Sequence, residues 1–214
     1  MEQYDVIRIS ETFPTEDIIA RWIIGLAIIH NDFIYLKKKF FMQSDDISVL
    51  VTEAPSNFKY LAASLREAIF YIEESERTPD IKNYIESLPS HITELYSKLT
   101  PLFRTGIKAD LLQRLTNIRN VTFHFSKPHR SEIIEALKGI QDQVMFFEDS
   151  NERFLYAEHI RNSIMLHSLF ELDEINSGEY QFLISELIRD IKDGFNIFVE
   201  FSREVNKNYL KSFL

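Results

Sequence analysis

The stretch LLQRLTNIRNVTFHFSKPH, residues 111–129, combines a helical apolar pattern with residue types that can carry chemistry. Placed on a helix at about 100° per residue, its apolar positions fall on one side, which predicts an amphipathic helix packed against a core. This apolar stripe consists of Leu111, Leu115, Ile118, Thr122 and Phe125. The helix is expected to end between Ser126 and Pro128, because a residue before proline avoids helical dihedrals.

The opposite side of the same predicted helix is polar without carrying fixed charges. It presents Gln113, Asn117, Asn120 and His124. Since a solvated helix face usually carries Lys and Glu, this polar stripe favours a surface that meets a partner, a ligand or a second copy of the chain. Gln113 and Asn117 are therefore predicted to lie in a dimer interface.

Arg119 lies between the two stripes, about 140° around the helix from His124 and roughly 7.5 Å along the axis. The two side chains therefore cannot form a close pair on one regular helix. They can share a site if the helix end is distorted, if Arg119 extends to a bound phosphate, or if a two-fold axis brings in a second copy. His124 falls in the last turn, where the helix dipole favours the imidazolium.

Apolar residues with helical spacing continue on both sides of this stretch and predict an all-α bundle of about six to seven helices. The 214 residues include only five glycines and six prolines, which argues against a turn-rich β architecture. An extended arm or a short strand is expected up to Phe13, and a connector from Ser44 to Pro55. Pro79 predicts a helix start, and Pro89 predicts an interruption of that helix. Residues 1–214 are expected to form a single helical domain.

The apolar run from Ile18 to Ile29 contains Arg21 and is too short to span a bilayer, so it predicts a buried helix at the centre of the bundle. The basic run 37–39 predicts the solvated end of that helix. The N-terminus MEQYDVIRIS is acidic and alternating, unlike a signal peptide, so a cytoplasmic location without membrane association is expected.

Composition excludes several classes of function. A net charge of −9 works against strong general affinity for nucleic acid, although a local basic patch is compatible with it. The absence of cysteine excludes disulfides, thiolate metal sites and a thiol nucleophile. The chain also lacks a Glu-x-x-His pair, a glycine-rich phosphate loop and a nucleophile elbow. Neither a metal nor a cofactor is expected.

Arg119, Asn120 and His124 belong to the string RNVTFH. It resembles the RNxxxH form of the Arg-x4-6-His motif in HEPN domains. These are helical-bundle proteins, many of which are metal-independent ribonucleases or parts of toxin–antitoxin and phage-defence systems. By motif and helix order the resemblance covers residues 100–147. Ser126 stands where one version of the motif, Arg-x4-His-x-Tyr, has tyrosine, which puts a tyrosine-modification antitoxin relationship in doubt.

The resemblance implies a HEPN-like core within residues 14–148 and a homodimer whose two motifs form one composite site. The last two predicted helices favour a C-terminal hairpin at 150–214 packed on that core. It further implies RNA cleavage, with His124 as general base or acid, Arg119 stabilising phosphate charge and Asn120 orienting the phosphate or the histidine. RNA is the implied substrate, and an antitoxin or other partner protein is implied as well. His129 and Arg130 follow the motif and are candidates for phosphate binding, or form a solvated loop.

Two further Arg-to-His spacings occur in the chain, Arg153 with His159 and Arg161 with His167. Both fall in a predicted helix with apolar residues spread widely around it, so they are interpreted as packing residues. The rival function is a non-catalytic helical interaction or dimerisation protein in which Arg119 and His124 are structural.

Overall fold

The computed structural model describes residues 6–40, 47–123, 134, 137–138, 155–170 and 177–213. These ranges contain eight α-helices and no strand, so the all-α prediction is confirmed. The helices are α1 (Ile9–Thr12), α2 (Ile18–Phe40), α3 (Ile47–Ser75), α4 (Pro79–Ser87), α5 (Ser90–Leu99), α6 (Ala109–Phe123), α7 (Leu155–Phe170) and α8 (Ser177–Leu210), with a 3-10 turn at Thr100–Leu102. The predicted start at Pro79 and the interruption at Pro89 are both confirmed.

The core joins the N-terminal and C-terminal halves of the chain. Helix α2 packs against α3 and α8, α5 packs against α8, and α6 lies against α3 and α7. Phe33 of α2 is fully buried and stacks on Phe195 of α8, with ring centroids 4.4 Å apart. A second ring of α8, Phe198, lies 4.7 Å from Phe33. The last helix thus packs in the same core as α2. The predicted division of the chain into a core at 14–148 and a C-terminal hairpin at 150–214 stays a prediction.

Helix α2 is buried on one side only, which corrects the expectation that it is buried at the centre of the bundle. Ala20, Ile23 and Leu26 are fully buried, whereas Ile24 is 39% and Ile28 57% exposed. The physical reason is that its main neighbours in the described ranges, α3, α4 and α8, leave one side of the helix uncovered. By length and composition residues 18–39 could cross a membrane, a test that core helices of soluble proteins also pass. The basic run 37–39 is exposed, as predicted.

Two local predictions are wrong. Residues 9–12 form the short helix α1 instead of an extended arm, and the Tyr209 hydroxyl donates to the Thr12 carbonyl at 2.6 Å, which holds the end of this helix against α8. The predicted connector is helical from Ile47, and α3 passes through Pro55. An internal proline costs about 3 kcal/mol in a helix. The buried stripe that α3 carries from Phe58 onward outweighs this local preference.

Two side chains of α3 fix α6 in place. Glu73 is only 8% exposed, and its carboxylate accepts hydrogen bonds from the Arg104 backbone N–H at 3.0 Å and from the Arg104 guanidinium at 2.5 Å. This contact, called the Glu73–Arg104 clasp, fixes to α3 the loop that leads into α6. Further along α3, Arg66 Nε donates to Thr116 Oγ1 of α6 at 3.0 Å. Together these contacts set which side of α6 faces the rest of the bundle.

Candidate functional site

The apolar stripe of α6 is confirmed over the residues that the structure describes. Leu111, Leu115, Ile118 and Thr122 are between 0% and 3% exposed. Thr122 is tolerated in this apolar setting because its hydroxyl donates to the Ile118 carbonyl at 2.6 Å. Phe125 lies outside the described residues.

The polar stripe is present as far as the end of α6. Gln113 is exposed and its Nε2 donates to Oδ1 of half-buried Asn117 at 3.0 Å. Asn120 is half-buried, and its Oδ1 accepts a hydrogen bond from the Arg119 guanidinium at 3.4 Å. The role of Gln113 and Asn117 in a dimer stays a prediction. The other predicted site residues, His124, His129 and Arg130, lie outside the described residues.

Arg119 lines a pocket of about 460 Å³ between α2, α3 and α6. Tyr60 and Phe123 supply aromatic walls, and Asp32 and Glu67 supply carboxylates. Glu67 is also paired with the Arg66 guanidinium. Arg119 therefore faces neither the core nor open solvent; it is half-buried beside a cleft that can hold a nucleotide-sized group.

Basic side chains of three helices lie near the C-terminal end of α6. The ammonium of Lys59 lies 5.0 Å from the Tyr60 ring centroid and 5.6 Å from the Phe123 ring centroid, although Lys59 is only 8% exposed. Burial lowers the pKa of Lys59, and the nearby Arg161 guanidinium of α7 lowers it further. We define the cation cluster as Lys59, Arg119 and Arg161, contributed by three different helices.

Sequence reasoning missed Lys59 and Tyr60, and it assigned Arg161 to packing. Local patterns around Lys59 show only a lysine between two aromatic residues, which is common on helices. Their proximity to Phe123 depends on how α3 and α7 pack against α6. Residues far apart in the chain therefore meet at this site, and no short sequence motif predicts that they do.

A second pocket, of about 400 Å³, adjoins the first. It lies along α2 and α3 and shares Glu67 with the Arg119 pocket. Its lining includes Arg21 and Trp22 of α2. Across the ranges given above, no three His, Asp or Glu side chains gather as metal ligands.

No family model matches this chain. Comparisons with curated proteins and with solved structures also find no match. The site is therefore interpreted from its own residues, their burial and their charges.

Proposed function

We propose that this protein is a metal-independent ribonuclease resembling HEPN domains, which cleaves RNA at a site formed by Arg119, Asn120 and His124 in a homodimer. The observation that supports this best is the cation cluster near the C-terminal end of α6. A chain with net charge −9 has little general affinity for RNA, so a local group of cations is where a phosphodiester would bind.

Aromatic rings beside the cations also favour RNA. Tyr60 is 46% exposed, and its ring meets Phe123 edge-on at 5.5 Å. An unpaired base can stack on such an exposed ring, which contributes about 1–3 kcal/mol per base. We therefore propose single-stranded RNA as the substrate class.

The proposed reaction is internal transfer at a phosphodiester. His124 accepts the proton of the ribose 2′-hydroxyl, the O2′–P bond forms and the P–O5′ bond breaks. The departing O5′ takes a proton from His124 of the second copy, leaving a 2′,3′-cyclic phosphate and a 5′-hydroxyl. Histidine suits both steps because its unperturbed pKa is near 6.5. Arg119 offsets the charge that builds on the phosphate oxygens, and its contact with Asn120 orients both groups.

The biological setting proposed from the resemblance is cytoplasmic, in phage defence or a toxin–antitoxin pair. In such a pair an antitoxin or other partner protein restrains the nuclease. These parts of the proposal depend on the motif and its family, not on the pocket.

The decisive experiment incubates purified protein with single-stranded RNA in the presence of EDTA. We expect cleavage that leaves 5′-hydroxyl ends and that stops when the RNA carries 2′-O-methyl groups, since the attacking hydroxyl is then blocked. His124→Ala and Arg119→Ala should abolish cleavage. Arg114→Ala is the matched control, because Arg114 lies on the same helix, partly exposed, with its guanidinium 4.0 Å from Asp110.

Two results would contradict catalysis by this motif. Equal cleavage by the wild type and by His124→Ala would assign the activity to another site or to a contaminant. Absence of cleavage across varied RNA substrates would leave the motif without a catalytic role.

A second candidate function is a non-catalytic helical interaction or dimerisation protein. The exposed apolar residues Ile24 and Ile28 favour it, because apolar side chains that line one helix face typically mark an interaction surface. In that case the protein self-associates without cleaving RNA, and Arg119→Ala weakens its fold or its association because Arg119 is structural.

A further inference from the structure

One face of α2 is exposed along its whole length and is apolar in the middle. Arg21, Ile24, Ile28, Asp32 and Tyr35 follow one another at helical spacing and fall within about 40° of a common direction. All five are exposed, with Ile28 at 57% and Tyr35 at 62%. We call these five residues the α2 face.

The two ends of this face carry opposite charges. Glu16 and Asp17 precede the first turn of α2, and Asp17 caps the helix by accepting the Ile19 N–H at 2.8 Å. The last turn carries the basic run 37–39. Asp17 and Lys39 continue the direction of the α2 face, whereas Glu16, Lys37 and Lys38 point elsewhere, and the face itself carries Arg21 in its first half and Asp32 in its second. In the antiparallel orientation each of these charges lies nearer to an opposite charge of the second copy than to a like one.

If two copies of α2 pair antiparallel about a two-fold axis at Ile28, each residue before Ile28 in one copy faces the residue equally far after Ile28 in the other. Ile28 then meets its own symmetry mate, which removes apolar surface from water. Asp17 meets Lys39 of the second copy as an ion pair. Arg21 meets Tyr35 of the second copy, a pairing that suits a cation and an aromatic ring. Parallel pairing would instead bring the like-charged ends together.

We propose that the α2 face is the dimer seam of this protein, with a second copy of the chain as its occupant. This names the surface of the homodimer and rests on that part of the proposed function, while RNA cleavage is not needed for it. The seam lies on α2 and is separate from the row formed by Gln113 and Asn117, whose role in a dimer stays a prediction.

The seam also brings the second copy to the Arg119 pocket. Asp32 belongs to the α2 face and lines that pocket. In the antiparallel pair, Asp32 and its symmetry mate lie about 12 Å apart along the helix axes. The Arg119 pocket of each copy therefore borders the seam.

A lipid bilayer is the other apolar medium that α2 could meet, and the structure favours the second copy. The opposite side of α2 is held in the bundle, where Ile23 and Leu26 are fully buried. Arg21 and Asp32 would place charges in hydrocarbon at considerable cost. In the antiparallel dimer Arg21 lies within about one helical turn of Asp32 of the second copy, so the two charges can offset each other.

Single-cysteine cross-linking tests the seam directly, because the chain has no cysteine of its own. Ile28→Cys should form a disulfide-linked dimer under mild oxidation, since a residue on a two-fold axis meets itself within disulfide reach. Ile107→Cys is the matched control, a loop isoleucine that is 93% exposed. Cross-linking at Ile28 should be on the order of a hundredfold faster, because facing thiols have a millimolar effective concentration.

The register has its own test. Ile24→Cys alone should cross-link slowly, because its symmetry mate lies about 12 Å away along the axis. Ile24→Cys mixed with Asp32→Cys should cross-link rapidly, since these positions face each other. Ile28→Glu should give a monomer that keeps its helical circular dichroism.

The seam is overturned if the wild type sediments as a monomer, if Ile28→Cys and Ile107→Cys cross-link equally, or if the wild type binds phosphatidylcholine vesicles while Ile28→Cys gives no dimer. Failure of the seam and failure of catalysis are distinguishable. An intact dimer without RNA cleavage removes only the catalytic proposal. Cleavage by a monomeric wild type removes the seam together with the composite site, whereas cleavage by a dimer in which Ile28→Cys fails to cross-link removes only the seam.

Discussion

Replacing Phe33 by alanine tests the core that joins α2 to α8. The ring is fully buried, parallel to Phe195 within 5° and close to Phe198. No neighbouring side chain can therefore move into the cavity left by the substitution without losing its own contacts. Deleting a buried phenyl group costs about 3–5 kcal/mol of unfolding free energy. Because two ring contacts are lost as well, we expect the upper half of that range.

The measurement is urea unfolding followed by far-ultraviolet circular dichroism. With a slope of about 2.5 kcal/mol per molar urea, a loss of about 4 kcal/mol lowers the midpoint by about 1.6 M. Phe182→Ala is the matched control, since it deletes the same atoms from a ring of α8 that is 63% exposed. It should change the free energy by no more than about 0.5 kcal/mol. A loss below about 1 kcal/mol for Phe33→Ala, or equal losses for both variants, would refute this packing of α2 on α8.

Two further predictions concern buried polar groups. Burial, and then the charge of Arg203, lowers the pKa of His30, whose Nδ1 lies 2.9 Å from Ser202 Oγ. As the pH falls below about 6.5, His30 of the unfolded chain therefore binds a proton before His30 of the folded chain does, so acidification should lower the free energy of unfolding. The decrease should be smaller in His30→Gln. Equal decreases in the wild type and the variant, measured by unfolding at several pH values, would contradict this. Glu73→Ala removes the acceptor of the Arg104 backbone N–H and should cost about 2 kcal/mol by thermal unfolding. The control Glu74→Ala, 55% exposed, should cost little, and similar losses in the two variants would count against the clasp.

The amphipathic helix around the motif was predictable because its signal is local. Positions three and four apart share a face, so the apolar residues of 111–122 revealed which side is buried before any partner helix was known. Pro79 and Pro89 marked helix limits for an equally local reason, since proline lacks an N–H and restricts its predecessor. The same local logic failed at Pro55, where the tertiary packing of α3 outweighs the cost of an internal proline.

The sequence by itself determined the helical class and the buried and polar sides of α6, because both follow from backbone geometry and the spacing of neighbouring residues. It also predicted that Arg119 and His124 lie on different sides of one helix. Only the tertiary structure decided that Arg119 shares a pocket with Asp32 of α2 and that Lys59 is buried against Phe123. It also decided that Ile28 stays uncovered. These contacts depend on which helices pack together, and that choice is settled by the whole core and not by any one stretch of the chain.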